Sequence, residues 1–149
     1  MMDDLLLTID VGNTHTVIAI YKQRELIIHW RLSISAARTE DECWIAVKML
    51  CDSGKIPFEN INAAVISSVV PDATLNYSRM VENYLHFKPI LISSDLDLGI
   101  QIHYDDPHAV GADRLCNAIS GFKKYGGPLI IVDLALLQPL MSSQKMAII

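Results

Sequence analysis

Cysteine is scarce in this chain: only Cys43, Cys51 and Cys116 occur, with no CxxC spacing. An odd count without paired spacing argues against a disulfide framework and for reduced thiols in a cytoplasmic setting. Cys43 and Cys51 fall in a helix-like segment and read as small buried hydrophobes. Positive charge is also thin. Twelve Lys and Arg stand against 17 Asp and Glu, a net charge of −5, and no basic cluster forms. That balance argues against nucleic acid or an anionic membrane as the main partner. No apolar run approaches the ~20 residues a membrane span needs. The opening M-M-D-D-L-L-L-T-I-D is acidic where a secretory leader requires a basic segment. No G-x(4)-G-K-[ST] is present, so there is no P-loop. No G-x-S-x-G surrounds Ser67 and Ser68, which argues against a hydrolase nucleophile. Their hydroxyls are expected to line a cleft or satisfy backbone at a strand end.

What remains is a globular composition, 149 residues of which 51% are hydrophobic and 19% charged. Apolar patterning predicts strands at Leu5–Asp10, Val17–Tyr21 and Glu25–Leu32, joined by short connections as an antiparallel meander. Thr39 followed by Glu42 predicts a capping box opening a helix. Ile45, Val47, Met49 and Leu50 partly fit its apolar face, and Asp52, Ser53 and Gly54 end it. A buried strand is expected at Ile61–Val70, closed by Pro71. A helix over Asp72–Phe87 follows, with Leu75, Met80, Val81 and Leu85 on or near one face. Pro89–Ile92 reads as a short strand, Val110–Lys124 as a helix and Pro128–Asp133 as another buried strand. The order βββ-α-β-α-β predicts half of an RNase H-like or actin-like α/β fold, a mixed five-stranded sheet with helices against it. Residues 1–115 are assigned to this half and residues 116–149 to the start of a second one, because Pro128–Asp133 repeats the apolar-to-Asp pattern of Leu5–Asp10.

Two segments carry the chemistry. Asp10, Val11, Gly12, Asn13, Thr14, His15, Thr16 and Val17 join the first two strands. Gly12 permits a tight turn and close approach of a phosphate. Asn13 and Thr14 bring donors, their backbone N–H groups can face the same oxygens, and Asp10 can hold Mg²⁺ directly or through water. A plain hairpin turned by Asp and Asn accounts for the same residues. The second segment runs from Tyr104 to Arg114. Gly111 and Ala112 are small beside Asp113, a carboxylate at a helix start, where negative charge is favoured. Such an acid can take the proton of an attacking alcohol in phosphoryl transfer. Arg114 suits a substrate carboxylate. A helix start with a structural Asp–Arg pair is the alternative. His103 and His108 bracket the acids, but no third ligand stands at a spacing suited to zinc.

Together these segments resemble the type III pantothenate kinases. The likeness rests on D-V-G-N-T-H at Asp10–His15, R-T-x-x-E at Arg38–Glu42, S-S-V-V-P at Ser67–Pro71 and Y-x-x-P-x-x-V-G-A-D-R at Tyr104–Arg114. It implies the acetate and sugar kinase/Hsp70/actin superfamily and transfer of the ATP γ-phosphate to pantothenate in coenzyme A synthesis. It assigns Asp10–Val17 to ATP, Asp113 to the general base, and Tyr104, Gly111, Ala112, Asp113 and Arg114 to pantothenate. It also implies Mg²⁺, a monovalent cation (K⁺ or NH₄⁺) held by Asp133, and a homodimer. Other readings are a non-enzymatic ligand-binding or interaction protein, or another actin-like kinase such as a sugar kinase, against which V-G-A-D-R speaks. An RNase H-like nuclease would need acids that Asp10 alone does not supply. The family has also been labelled a transcriptional accessory factor. An acidic chain without a helix-turn-helix signature argues against direct DNA binding.

The likeness breaks after Asp133. The family continues D-F-G-T-A-T-T-F-D, whereas this chain reads L-A-L-L-Q-P-L-M from Leu134 to Met141. With a permitted choice of codons, restoring a single T after the Asp133 codon regenerates the whole family motif. The expectation is therefore a one-base deletion near Asp133, leaving a second half-domain cut short and a chain without kinase turnover.

Overall fold

A computed structural model describes residues 4–33 and 38–132. Strands β1 (Leu5–Val11), β2 (His15–Lys22) and β3 (Glu25–Ser33) form the expected meander. Strand β4 (Ile61–Ser68) lies parallel to β1, and the two-residue β5 (Ile90–Leu91) lies parallel to β4. The sheet order is β3-β2-β1-β4-β5.

Period-2 alternation divides the two faces of this sheet. Leu5, Leu7, Ile9 and Val11 of β1, Ile18 and Ile20 of β2, and Ala64 and Ile66 of β4 point to one face and are almost wholly buried. Helices α1 (Glu40–Ser53) and α2 (Pro71–Met80) cover that face and supply Cys43, Val47, Cys51, Tyr77 and Met80 to one core. Each fully buried Leu, Ile, Val or Met contributes roughly 1.5–3 kcal/mol. Helix α3 (Ala112–Tyr125) lies against the opposite face, burying Ala112, Leu115 and Ala118. A meander followed by two parallel crossovers in this strand order is the RNase H-like half of an actin-like fold.

The capping box forms as expected: Glu42 N–H donates to Thr39 Oγ1 at 3.3 Å, and Thr39 N–H donates to Glu42 Oε2 at 2.8 Å. The apolar face of α1 differs from expectation. Its buried stripe is Cys43, Val47 and Cys51, spaced by four, while Ile45 and Met49 are exposed. A 3.6-residue period carries those two off the buried side. The helix expected over Asp72–Phe87 is α-helical only to Met80. It widens into a π-turn at Val81–Leu85 and stops at His86, whose φ is 64°. Leu75 is exposed, and Tyr77 takes the buried position. The last expected helix starts two residues late, after a 3₁₀ turn at Pro107–Ala109.

The strand expected at Pro128–Asp133 is not formed over Pro128–Val132. Leu129 and Ile131 instead pack on α3, close enough that a Cβ on Gly121 would meet Leu129 Cδ2 at 2.8 Å and Ile131 Cδ1 at 3.0 Å. A strand needs a paired neighbour for its backbone groups, and no described strand stands beside this segment. Asp133 lies outside the described residues. Helix α3 itself runs unbroken through positions 115 and 116. Among the described residues no helix is long and apolar enough to cross a membrane.

Candidate functional site

Ligands of open α/β sheets gather at the carboxyl ends of the parallel strands. Here that edge is formed by β1 and β4, in which Asp10 and Ser67 are register partners. Both side chains point to the α3 face, opposite the main core. Asp10 is exposed, whereas Ser67 is buried at 8% exposure, and its hydroxyl donates to Asp10 Oδ1 at 3.0 Å. Ser68 does the other job foreseen for this pair. Val70 N–H donates to Ser68 Oγ, and the Ser68 hydroxyl donates to Val70 O, both at 3.1 Å.

Beyond Asp10 the chain turns through Gly12, whose N–H donates to His15 O at 3.0 Å. Asn13, Thr14 and His15 are exposed at the tip. Val11 belongs to the core, and Val17 lies half-buried opposite Asp10 in the β1–β2 register. Thr16 is only 4% exposed, and its hydroxyl bonds to Tyr77 on the face away from Asp10. Of the eight loop residues, Asp10 and the turn tip are open to a ligand. Val11 and Thr16 offer only backbone.

Helix α3 brings the second carboxylate. Gly111 is its N-cap, and Gly111 O accepts from Arg114 N–H at 3.1 Å and Leu115 N–H at 3.2 Å. Asp113 Oδ1 accepts from Arg114 N–H at 2.8 Å, so Arg114 ties to Asp113 through its backbone. The carboxylate lies over Gly111: a Cβ there would stand 2.5 Å from Asp113 Oδ1 and 3.5 Å from Val69 Cγ1. An alanine there would therefore displace the Asp113 carboxylate, while the φ of −62° itself makes no demand for glycine. One turn on, the Cys116 thiol faces Ser67. Burial pushes this thiol up, Ser67 opposes that, and the charges of Asp10 and Asp113 add to it. Both carboxylates therefore act on one thiol, although they lie in distant parts of the sequence. Ala112 is buried, Arg114 is exposed, and Tyr104 is exposed in the loop before the 3₁₀ turn.

A second polar group was not legible in the sequence. Tyr77, 3% exposed, joins Thr16, Arg38 and Cys43. Burial raises its phenol, and the bonds to Thr16 and Arg38 work against that shift. Arg38 of the R-T-x-x-E motif is thereby tied behind the β1–β2 turn. Its only sequence signal is the motif itself.

A strand-end carboxylate beside a polar hairpin turn, on half of an actin-like fold, places the chain in the acetate and sugar kinase/Hsp70/actin class. Within that class the chain belongs to the type III pantothenate kinase family, whose model matches residues 6–135. The type III pantothenate kinase of Halalkalibacterium halodurans is 43% identical over 129 residues, which is 87% of this chain and 51% of the relative. That of Geobacillus thermodenitrificans is likewise 43% identical, over 87% of this chain and 50% of its own. The chain thus spans about half the length of the curated relatives it matches. Two solved structures overlap it less closely. They are an actin-like ATPase-fold protein of unknown function from Bacteroides thetaiotaomicron and a ROK hexokinase from Thermus thermophilus. The first has a TM-score of 0.43 at 6% identity, over 61% of this chain and 33% of its own. The second has a TM-score of 0.41 at 13% identity, over 58% and 32%.

Proposed function

We propose that this chain carries one side of the active site of an enzyme that phosphorylates pantothenate with ATP, giving 4′-phosphopantothenate for coenzyme A synthesis. The observation that carries this reading is the approach of Asp10 and Asp113 to one end of β4, Asp10 bonded to Ser67 and Asp113 beside Val69, in a chain of this family. Backbone N–H groups of Asn13 and Thr14 at the turn tip bind phosphate oxygens, as such turns do. Asp10, exposed at the strand end, suits a hydrated Mg²⁺, an ion that keeps several waters and is held by one or two carboxylates. When bound, that ion neutralises charge on the transferring phosphoryl group. Asp113 accepts the proton of the pantothenate hydroxyl as its oxygen bonds to the γ-phosphorus and the bridge to the β-phosphate breaks, releasing ADP. Gly111 and Ala112 contribute close-lying backbone. Tyr104 and Arg114, both exposed, hold pantothenate, with the guanidinium on its carboxylate.

The resemblance extends this proposal to a K⁺ or NH₄⁺ ion at Asp133 and to a homodimer. Three free cysteines, two of them buried, support a cytoplasmic setting. The proposal keeps the division into a first RNase H-like unit at 1–115 and the start of a second at 116–149. The test is ADP release dependent on pantothenate, with mass-spectrometric detection of 4′-phosphopantothenate, using a frame-restored chain of the relatives' length. Turnover with sugars but not with pantothenate would move the chain to the sugar kinases. No turnover with either would leave a binding protein.

A further inference from the structure

We propose that Ser67 is a positioning residue that fixes the Asp10 carboxylate. This rests on the reading of Asp10 as the phosphate-side acid. An exposed Asp at a strand end is free to sample its staggered rotamers unless something restrains it. Ser67 supplies the restraint. It is buried at 8% exposure, lies in register with Asp10 on the adjacent parallel strand, and donates at 3.0 Å. A serine hydroxyl has one proton and two lone pairs. That proton is committed to Asp10 Oδ1.

The geometry has a consequence for the two carboxylates. Cys116 lies one helical turn after Asp113, and the Asp113 carboxylate rests over Gly111 beside Val69 at the end of β4. Ser67 is two residues before Val69. The acid that faces phosphate and the acid that faces the hydroxyl are thus both placed by the end of β4: Ser67 holds the first, and Val69 lies beside the second.

Two measurements on the 149-residue chain test the role. The first needs no nucleotide. Three-bond couplings should report a single Asp10 χ1 rotamer in the wild type and in Ser67→Thr, and an averaged one in Ser67→Ala. A single unchanged rotamer in Ser67→Ala would overturn the proposal. If Ser67→Ala does not fold, Ser67→Val, which also lacks the hydroxyl and suits a strand, carries the same expectation of averaging and the same overturning result. The second measures how much Mg²⁺ raises ADP affinity. Ser67→Ala should lose that gain by about tenfold, the scale of a lost hydrogen bond to a charged group, with Ser67→Thr restoring it. An undiminished gain in Ser67→Ala, beside its loss in Asp10→Asn, overturns the positioning role and leaves Asp10 in the site. An undiminished gain in Asp10→Asn overturns instead the reading of Asp10, and the rotamer measurement then decides Ser67 alone.

Discussion

Asp10 and Ser67 are 57 residues apart in sequence, yet one hydrogen bond joins them. Asp113 reaches the same cluster from a third element, and its place is set by what Gly111 lacks. Replacing Gly111 with Ala puts a methyl 2.5 Å from Asp113 Oδ1 at a backbone conformation that Ala accepts readily. The expected result is a kinetic lesion with little loss of stability. In a frame-restored chain kcat should fall by at least about tenfold, as small displacements of a catalytic group do, with a melting temperature close to that of the parent. A normal kcat would mean that Asp113 does not depend on its present place. Asp113→Asn removes the proton acceptor itself. It should lower kcat by about 10²–10⁴-fold while leaving ATP affinity in place, and steady-state kinetics with a separate nucleotide titration would expose a near-normal rate.

At the scale of elements, α1 is fixed by its ends and by its partners. Thr39 and Glu42 satisfy each other's backbone N–H groups, and Asn76 of α2 donates from Nδ2 to Arg38 O at 2.7 Å just ahead of that cap. Thr39→Ala should cost about 1 kcal/mol, the usual worth of such a cap, read as a lower urea midpoint at unchanged slope. An unaltered midpoint would show that the docking of α1 on α2 makes the cap redundant. That docking includes the stacked pair Trp44 and Tyr84, whose ring centroids are 4.5 Å apart. Tyr84 stands in the π-turn that replaces the end of the expected helix. Residue types near Val81–Leu85 suit an α-helix. Side chains of the wider turn reach across to α1, Tyr84 donating to Asp41 Oδ1 and Asn83 to Glu40 Oε1, contacts that a local pattern cannot contain.

For the molecule as a whole, the two buried thiols of α1 set an alkaline limit. Burial pushes Cys43 and Cys51 from 9.0 up to about 11 each. Arg38 and Tyr77 oppose the shift at Cys43, and Asp52 adds to it at Cys51. A thiol whose folded value is raised binds its proton more tightly in the folded state. Its contribution is therefore complete below pH 9 and is lost as pH rises towards 11. Denaturation midpoints should hold steady below about pH 9 and then fall up to about pH 11, and the fall should flatten in a Cys43→Ala, Cys51→Ala double variant. An equally steep fall in that variant would assign the limit to other groups. The same thiols show how far sequence alone reached. Local pattern and turn chemistry determined the meander, the capping box, the buried cysteines and the two acid-bearing segments, because each rests on residues a few positions apart. Only tertiary structure decided the rest. It set which hydroxyl serves Asp10, that Thr16 turns to Tyr77, that Ile45 and Met49 lie outward, and that Pro128–Val132 packs on α3. Each of these depends on strand register or on which surface is already covered, and neither quantity is encoded by neighbours in the chain.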